Sequence, residues 1–245
     1  MRVLVTTNYQ TLSQQAAQAV ADAVRLKPNL VLGLPTGHTP LGMYQELVRR
    51  HHEKGLDFSR VTTFNLDEYL GFSQEDPESY TAYMRHHFFD RVNVAAQNIH
   101  IPDGKPGVAA ESESARYEQA IHEAGGIDLL IVGIGTNGHI AFNEPGSDFT
   151  SRTRPVDLAP ETVSSARQYF ESEAATPRRA ITVGIATILD ARRILLLAAG
   201  SGKSNAGARA IQGPVSESMP ASALQLHADV TAILDEAAAA NLSGY

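Results

Sequence analysis

Apolar runs of strand length alternate with segments of helical period along the whole chain. The predicted strands are residues 1–7, 30–34, 61–66, 127–134, 180–183, 194–198 and 230–234. Helix-period segments such as residues 11–26 and 109–124 lie between them. Strands that are apolar on both faces are typical of a parallel sheet covered by helices on both sides. The pattern predicts one α/β domain over residues 1–245, a three-layer α/β/α architecture with a mostly parallel, Rossmann-like sheet.

Local signals predict several helix boundaries. Thr11 and Gln14 have the spacing of a capping box, which places the start of the first helix at Thr11. Pro40 suits the first position of the second helix. Its inward face is predicted to be Leu41, Tyr44, Leu47 and Val48. Residues 79–92 and 236–242 are also predicted to be helical.

Polar clusters follow four of the apolar runs. They comprise residues 36–39, 67–69, 137–144 and 201–203. In parallel sheets, ligands bind beyond the carboxyl ends of the strands. We therefore expect the four clusters to meet at one edge of the sheet and to form a single site.

Composition and charge exclude several classes of function. The chain has no cysteine, which excludes disulfides, thiolate metal sites and cysteine nucleophiles. Its net charge of −7 argues against nucleic acid or an acidic membrane surface as a partner. No run approaches the ~18 apolar residues that span a bilayer, and the first residues lack the apolar core of a signal peptide. The expected location is the cytoplasm, and a bound phosphate would need a local site.

Two glycine motifs resemble nucleotide-binding loops but lack the context that such loops need. Residues 133–138 fit G-x-G-x-x-G, yet Pro145 interrupts the expected helix and no acidic residue ends a strand about 20 residues later. Residues 202–204 resemble the end of a Walker loop, but Leu197 stands where its first glycine belongs. The nine histidines show no HExxH or comparable ligand spacing. We therefore expect no nucleotide cofactor and no metal.

Two glycine turns are candidates for binding a phosphate. Thr36, Gly37, His38 and Thr39 join a strand to a helix start, where free N–H groups and the positive end of the helix dipole favour an anion. Residues 201–203 offer the same geometry with an added lysine. An ordinary capped turn would have the same sequence, so the prediction of a phosphate pocket depends on the two turns meeting.

Two carboxylates and a histidine complete the candidate chemistry. Asp67 and Glu68 follow an apolar strand, where partial desolvation suits proton abstraction next to a carbonyl or an imine. His139 can deliver and retrieve a proton near neutral pH, and Glu144 can orient it and support its charged form. Taken singly, the acidic pair could be a solvated turn and the histidine could be structural. Together with a phosphate cradle, these groups predict sugar-phosphate isomerisation.

Seven segments, in order along the chain, match one known pattern. They are LGLPTGHTPLGMY, TFNLDEYLGF, PESYTAYM, GIGTNGHIAFNEPGS, SRTRPV, AITVGIATILDARRILLLAAGSGKS and SALQLHADV. Over about residues 1–235 the chain resembles the glucosamine-6-phosphate deaminase/isomerase family. Related 6-phosphogluconolactonases share the fold, but they typically have Asp-Glu-Arg at the strand end and no Asn-Glu-Pro after the histidine. NLDEYLG and FNEPGS therefore favour a deaminase.

The resemblance implies a reaction that needs no cofactor: glucosamine 6-phosphate would become fructose 6-phosphate and ammonia. The enzyme would be an amino sugar phosphate deaminase, classed as a hydrolase of C–N bonds of the cyclic amidine type. Asp67 would move a proton between C2 and C1, and His139, oriented by Glu144, would protonate the ring oxygen. The substrate-binding residues would be Thr36, Gly37, His38, Thr39, Glu68, Arg167 and Lys203. Residues 148–176 would form a mobile lid.

One departure from the family pattern lies within the catalytic group. Asn137 stands where some relatives, including allosteric ones, have aspartate. An amide can form hydrogen bonds but carries no charge. Support for protonated His139 therefore falls more heavily on Glu144.

A second departure concerns regulation. Ser147 and Arg154 match the site at which allosteric members bind N-acetylglucosamine 6-phosphate, but Val156 replaces the expected lysine. The C-terminus is also shorter than in hexameric relatives. We expect little or no activation, and a monomer or small homo-oligomer.

Two alternatives stay open. The first is a 6-phosphogluconolactonase-like hydrolase on the same fold. The second is a non-catalytic sugar-phosphate-sensing domain, like the effector domains of some bacterial repressors. Such sensors need an attached DNA-binding element, for which length and charge leave no room, and they have no need of Asp67, His139 and Glu144 together.

Overall fold

The computed structural model describes residues 1–244, apart from the side chain of Tyr169. Within that part, the strands are β1 (Arg2–Thr6), β2 (Val31–Leu34), β3 (Thr62–Asn65), β4 (Asp67–Tyr69), β5 (Ile99–His100), β6 (Leu129–Gly133), β7 (Arg154–Asp157), β8 (Arg179–Thr182), β9 (Ile194–Ala198) and β10 (Val230–Asp235). The helices are α1 (Tyr9–Leu26), α2 (Leu41–Lys54), α3 (Tyr80–His87), α4 (Ala110–Glu123), α5 (Pro160–Ala166), α6 (Ile185–Leu189), α7 (Ser204–Gln212) and α8 (Glu236–Ala239). No helix among the described residues is both long and apolar enough to cross a membrane.

Seven strands form a parallel sheet in the order β1-β10-β9-β6-β2-β3-β5. The central strand β6 shows how both faces are covered. Its residues Leu129 and Ile131 pack with α1, α2 and α3, whereas Leu130 and Val132 pack with α4, α6, α7 and α8. Burying a Leu or Ile side chain is worth about 1.5–3 kcal/mol, so a strand that is apolar on both faces requires both helical layers. The predicted α/β/α architecture is confirmed.

The strand order reverses between β2 and β6. After β2 the chain adds β3 and β5 toward one edge, then returns to β6 on the other side of β2 and adds β9 and β10. Gly33 permits the close approach of β2 and β6, because a Cβ there would lie 2.1 Å from Leu130 Cδ1. In sheets of this kind, a ligand crevice opens beyond the carboxyl ends of the strands at the reversal. The turns that follow β2 and β6 flank that crevice.

Three further strands form a separate antiparallel sheet in the order β4-β8-β7. Residues 67–69, predicted from the sequence to be a polar cluster at the end of a strand, form β4, in which Asp67 pairs with Thr182. Residues 180–183, predicted as one more strand of the parallel layer, contribute β8 to this small sheet. The pairing joins segments that are far apart in the chain, so no local pattern encodes it.

Two helix starts differ from the prediction. α1 begins at Tyr9, because the Asn8 side chain caps it by accepting the Thr11 N–H at 2.9 Å. Thr11 is therefore not the cap. Pro40 precedes α2 instead of opening it. The buried residues of α2 are Met43, Tyr44, Leu47 and Arg50, whereas Leu41 and Val48 are half-buried.

Two helices are shorter than predicted. α3 ends at His87, because Phe88 has a φ of −143° and a separate 3-10 turn follows. α8 ends at Ala239, and a turn follows in which the Leu242 N–H donates to the Ala239 carbonyl. Phe88 and Leu242 are both buried. These two apolar residues, which the sequence pattern assigns to the helices, lie in the turns that follow them and pack against the core.

Candidate active site

Four neighbouring strands carry the four polar clusters. β9, β6, β2 and β3 lie side by side, and residues 201–203, 135–144, 36–39 and 67 follow their carboxyl ends. Adjacent strands are about 4.8 Å apart, so the four strand ends span roughly 15 Å. The structure therefore places these clusters along one edge of the sheet, around the reversal between β2 and β6.

Asp67 is a buried carboxylate without a hydrogen-bond donor. Its backbone is fixed by pairing with Thr182, and the residue is only 6% exposed. No donor within residues 1–244 bonds to its carboxylate. Desolvation, and secondly the charge of Glu68, raise the pKa of Asp67 to about 8. A carboxylate in this state readily takes up a proton and readily returns it near neutral pH.

The Glu68 carboxylate binds the start of α3. It accepts the N–H groups of Tyr69, Tyr80 and Thr81, each at 2.9 Å, and the Thr81 hydroxyl at 3.2 Å. Burial raises the pKa of Glu68 to about 7, against the opposing effect of these donors. The sequence predicts Glu68 as a substrate contact. Its oxygens are instead occupied by the protein, because the extended conformation of β4 directs Asp67 and Glu68 to opposite sides.

Glu144 stands beside the imidazole of His139. The distance from His139 Nδ1 to Glu144 Oε2 is 3.4 Å, close enough for an ion pair once the ring is protonated. Asn137 donates to the same Oε2 at 2.8 Å and accepts the His139 N–H at 3.1 Å. Thr162 donates to Glu144 Oε1. Burial opposes ionisation of Glu144, but His139, Thr162 and Asn137 outweigh it and lower its pKa.

Glycine at position 135 leaves room for the imidazole. A Cβ on Gly135 would lie 2.3 to 2.5 Å from three atoms of the His139 ring. Gly138 has a φ of +91°, and Ala141 adopts a left-handed φ of +49°. The glycine pattern that imitates a dinucleotide loop thus has a different cause. Its residues make a tight turn in which a histidine ring packs directly on the backbone.

Asn143 fixes this turn to the end of β8. Its amide donates to the carbonyls of Ile140 at 3.0 Å and Val183 at 2.8 Å, and its oxygen accepts Arg154 Nη1 at 2.8 Å. The Val183 N–H in turn donates to the Leu66 carbonyl, next to Asp67. The positions of the histidine turn and of Asp67 are therefore coupled through a few buried hydrogen bonds.

The candidate anion site consists of backbone groups and one lysine. Residues 36–39 lie between β2 and α2, and Gly37 has a φ of +95°. Lys203 ends the 3-10 turn Ser201–Lys203 directly before α7. Desolvation lowers the pKa of Lys203, and among the described residues no carboxylate forms an ion pair with it. Lys203 is thus a half-buried cation that is available to an anionic ligand.

No group of three or more histidine, aspartate or glutamate side chains within residues 1–244 is arranged to hold a metal ion. The chemistry that the site supports is proton transfer. A buried carboxylate, an imidazole beside Glu144 and a candidate anion site follow neighbouring strands at one edge of the sheet.

A family model described as glucosamine-6-phosphate isomerases/6-phosphogluconolactonase matches residues 6–233. The chain belongs to this family. It is 51% identical over 242 residues to the glucosamine-6-phosphate deaminase of Halothermothrix orenii, covering 99% of this chain and 100% of that protein. It is 47% identical over 243 residues to the glucosamine-6-phosphate deaminase of Clostridium botulinum strain Loch Maree, covering 99% of each.

Solved structures show the same relationship at the level of the fold. A monomeric glucosamine-6-phosphate deaminase superposes with a TM-score of 0.96 at 45% identity, covering 98% of this chain and 100% of that one. The 6-phosphogluconolactonase from Trypanosoma cruzi superposes with a TM-score of 0.77 at 21% identity, covering 99% and 97%. The second match shows the common fold alone. The isomerase/lactonase family thus contains more than one activity on one architecture.

Arg167, which the family resemblance implies as a substrate-binding residue, lines a separate cavity. The Arg167 guanidinium donates to the Phe170 carbonyl at 2.6 Å and lines a cavity of about 420 Å³ together with Leu158, Ser164 and Arg178. Neither the 36–39 turn nor Lys203 lines that cavity. Arg167 thus lines a cavity separate from those lined by the 36–39 turn, and its predicted part in phosphate binding stays a prediction.

Sequence reasoning missed some contributors to the site. Thr162 on α5 donates to Glu144, and α5 lies within residues 148–176, the predicted lid. Phe170 of the same segment packs with Tyr69 and Phe142. A threonine in a polar helix carries no signal of its own, so only the fold reveals this contact.

Proposed function

We propose that the protein is a glucosamine-6-phosphate deaminase, which converts glucosamine 6-phosphate and water into fructose 6-phosphate and ammonia. The observation that carries the proposal is Asp67, a buried carboxylate that binds no protein donor and has a pKa raised to about 8. A group with that pKa can remove a proton from carbon and give it back. The names of relatives at 51% and 47% identity support the same activity.

The first step opens the sugar ring. The Nδ1 side of His139 faces Glu144, so Nε2 gives a proton to the ring oxygen. The C1–O5 bond breaks, the C1 hydroxyl returns its proton to the imidazole, and C1 becomes an aldehyde. Glu144 stabilises the imidazolium form of His139 whenever the imidazole carries the extra proton.

The second step moves the double bond. Asp67 removes the proton from C2, and the electron pair forms a C1–C2 double bond as the imidazolium of His139 gives its proton to the aldehyde oxygen. Asp67 then returns its proton to C1, which leaves an iminium group at C2. Water adds to C2, one of its protons passes to the nitrogen and the other to the imidazole of His139, and ammonia leaves, giving the ketone of fructose 6-phosphate. A single base serves both carbons because C1 and C2 are adjacent.

The phosphate is held at the other end of the substrate. The N–H groups of the 36–39 turn and the ammonium of Lys203 supply hydrogen bonds and positive charge. Arg167 lines a separate cavity, so its predicted part in phosphate binding stays a prediction. The catalytic group in this proposal is Asp67, His139 and Glu144, supported by Asn137.

The net reaction is hydrolytic, because one water is consumed as a C–N bond breaks. Water cleaves the C–N bond of an open-chain imine at C2. Glucosamine 6-phosphate contains no amidine, so the cyclic amidine type predicted from the sequence does not describe this chemistry. We also propose that the protein acts in the cytoplasm, as the sequence predicts, and that within the predicted range of monomer to small homo-oligomer it is a monomer, like the monomeric deaminase it resembles.

One assay separates the three candidate functions. Purified protein is incubated with glucosamine 6-phosphate and, separately, with 6-phosphogluconolactone, and the release of ammonia and of acid is measured. Ammonia from the first substrate supports the deaminase. Acid from the lactone without ammonia would identify a lactonase, and binding of both compounds without turnover would identify a sensor.

A further inference from the structure

Tyrosine hydroxyls from two helices reach the backbone of the 36–39 turn and the residue before it. Tyr44 of α2 donates to the Pro35 carbonyl at 2.5 Å. Tyr83 of α3 donates to the Gly37 carbonyl, also at 2.5 Å. Tyr44 is fully buried, so its hydroxyl is committed to this bond.

A third tyrosine reaches the same turn from α1. Tyr9 donates to the His38 carbonyl at 3.0 Å and accepts the Gly42 N–H at 2.8 Å. Among the tyrosines whose side chains the structure describes, these three bond to carbonyls within residues 35–38. We call Tyr9, Tyr44 and Tyr83 the tyrosine collar.

Each of these bonds also fixes an N–H group. In a trans peptide unit, the C=O of one residue and the N–H of the next are coplanar and point in opposite directions. Holding the carbonyls of residues 35, 37 and 38 therefore orients the N–H groups of Thr36, His38 and Thr39. In the described part of the chain, the N–H groups of Thr36, Gly37 and Thr39 donate to no protein acceptor.

We propose that the collar hydroxyls are positioning groups for phosphate binding: they turn the carbonyls of the 36–39 turn outward and so keep its N–H groups facing the ligand. The idea rests on the proposed function, in which this turn holds the substrate phosphate. A carbonyl oxygen turned toward a phosphate would repel it, whereas an N–H group attracts it. The hydroxyls achieve this without adding charge beside Asp67.

Tyr9 and Tyr83 are the residues to change. Tyr9 is 38% exposed and Tyr83 is half-buried, so removing either hydroxyl leaves the core intact. We expect Tyr9→Phe and Tyr83→Phe each to raise the KM for glucosamine 6-phosphate and the Kd for inorganic phosphate about 3- to 10-fold, the range set by one net hydrogen bond. The double variant should lose more than either single one. Turnover at saturation should stay within about twofold, because phosphate binding is common to substrate and transition state.

Tyr117→Phe is the matched control. The Tyr117 hydroxyl also donates to backbone carbonyls, those of Asn65 at 2.8 Å and His100 at 3.0 Å, but it bonds to no residue of the 36–39 turn. This variant should lower the melting temperature while leaving the Kd for inorganic phosphate unchanged. A general loss of rigidity would weaken phosphate binding in all three variants alike.

Direct titration with inorganic phosphate tests the collar apart from the reaction. If the wild type binds phosphate and the Tyr9→Phe/Tyr83→Phe protein binds it equally well, the inference is overturned. Equal weakening in Tyr117→Phe would overturn it too, as would a wild type that does not bind phosphate. If the protein binds phosphate but releases no ammonia from glucosamine 6-phosphate, the proposed deaminase fails, while the collar is still judged by the two variants.

Discussion

The two halves of the site are built from different parts of the chain. On the proton-transfer side, the proposed groups are side chains: Asp67 at the start of β4 and His139 in the turn after β6. On the anion side, the proposed contacts come from backbone N–H groups of the 36–39 turn, with Lys203 as the added charge. The first half is held by buried hydrogen bonds between distant segments, and the second by a strand-to-helix connection.

Burial shifts the pKa values of the ionisable groups in these two halves in opposite directions. Desolvation disfavours the charged form of any group, so it raises the pKa of Asp67 to about 8 and lowers the pKa of Lys203. For Asp67 the shift brings the proton exchange close to neutral pH, which proton transfer requires. An amine starts from a much higher pKa, about 10.4, so Lys203 can lose some basicity and still hold a phosphate. The same physical effect is useful in one half and harmless in the other.

The largest expected effect is the loss of turnover when Asp67, in the proton-transfer half, is changed. Asp67→Asn should lower turnover by at least the ~10²-fold that losing a general base costs. The KM should change little, because the anion half is intact. Ammonia release at varied substrate concentrations measures turnover and KM, and near-normal turnover would remove Asp67 from the mechanism.

The matched control for Asp67 is a buried carboxylate at the opposite edge of the sheet. Asp128 precedes β6, pairs with Lys27 at 2.6 Å and accepts the Val31 N–H at 2.8 Å. Asp128→Asn should lower stability and leave kcat/KM unchanged.

The pH dependence of stability at Asp67 is a separate test. The pKa of Asp67 in the native state lies above its unfolded value, so the native state binds the proton of this carboxyl more tightly. Its contribution to stability is present at low pH and is lost as the pH rises from about 4 to 8, and Asp67→Asn should abolish that dependence.

The anion half is tested by Lys203→Met. A hydrogen bond to a charged group contributes about 1.5–3 kcal/mol, so kcat/KM should fall about 10- to 100-fold, mainly through KM. Steady-state kinetics and phosphate titration measure this. The control is Lys105→Met, which removes an exposed lysine paired with Asp103. A fall confined to kcat would show that the two halves are not separable in this way.

Ring opening is tested by His139→Gln. This variant should lose about 10-fold more activity on the closed-ring substrate than on an open-chain analogue, because only the former needs a proton at the ring oxygen. The ratio of the two kcat/KM values is the measurement. Equal losses would assign His139 to a later step.

Much of this arrangement can be predicted from the sequence, and the limits have physical reasons. Strands that are apolar on both faces predict the parallel sheet, and the rule for strand ends places Thr36, Asp67, His139 and Lys203 at one edge. The small antiparallel sheet escapes prediction, because residues 67–69 pair with a segment far along the chain. For the same reason, the hydrogen bonds of Glu68 to α3 and of Thr162 to Glu144 cannot be inferred from local pattern.

A smaller effect is expected on the pH dependence of kcat/KM when Glu68, the neighbour of Asp67, is changed. Because Asp67 has a pKa of about 8, kcat/KM should fall as the pH drops below that value and the base becomes protonated. Glu68→Gln removes a neighbouring negative charge and should move this acidic limb to lower pH. The shift should be under about one unit, since desolvation is the larger cause. A limb that moves to higher pH would contradict this account of Asp67.

The smallest expected effect is the absence of activation. Arg154 already donates to Asn143 at 2.8 Å and to Ser147 at 3.5 Å, and Val156 is a half-buried, uncharged residue of β7. N-acetylglucosamine 6-phosphate should therefore leave the saturation curve for glucosamine 6-phosphate almost unaltered. Initial rates with and without the compound test this, and a clear shift to lower substrate concentrations would show that an effector site is present.

The position of β10 has a consequence for biosynthesis. This strand, the last in the chain, lies between the first strand and β9, with Leu4 beside Ile233 and Ile233 beside Leu197. While the ribosome is still adding residues before 230, the amino-terminal strand has no neighbour in the sheet to bond with. We expect the nascent polypeptide to acquire its native sheet only near the end of translation, so that truncated products are inactive and vulnerable to proteases.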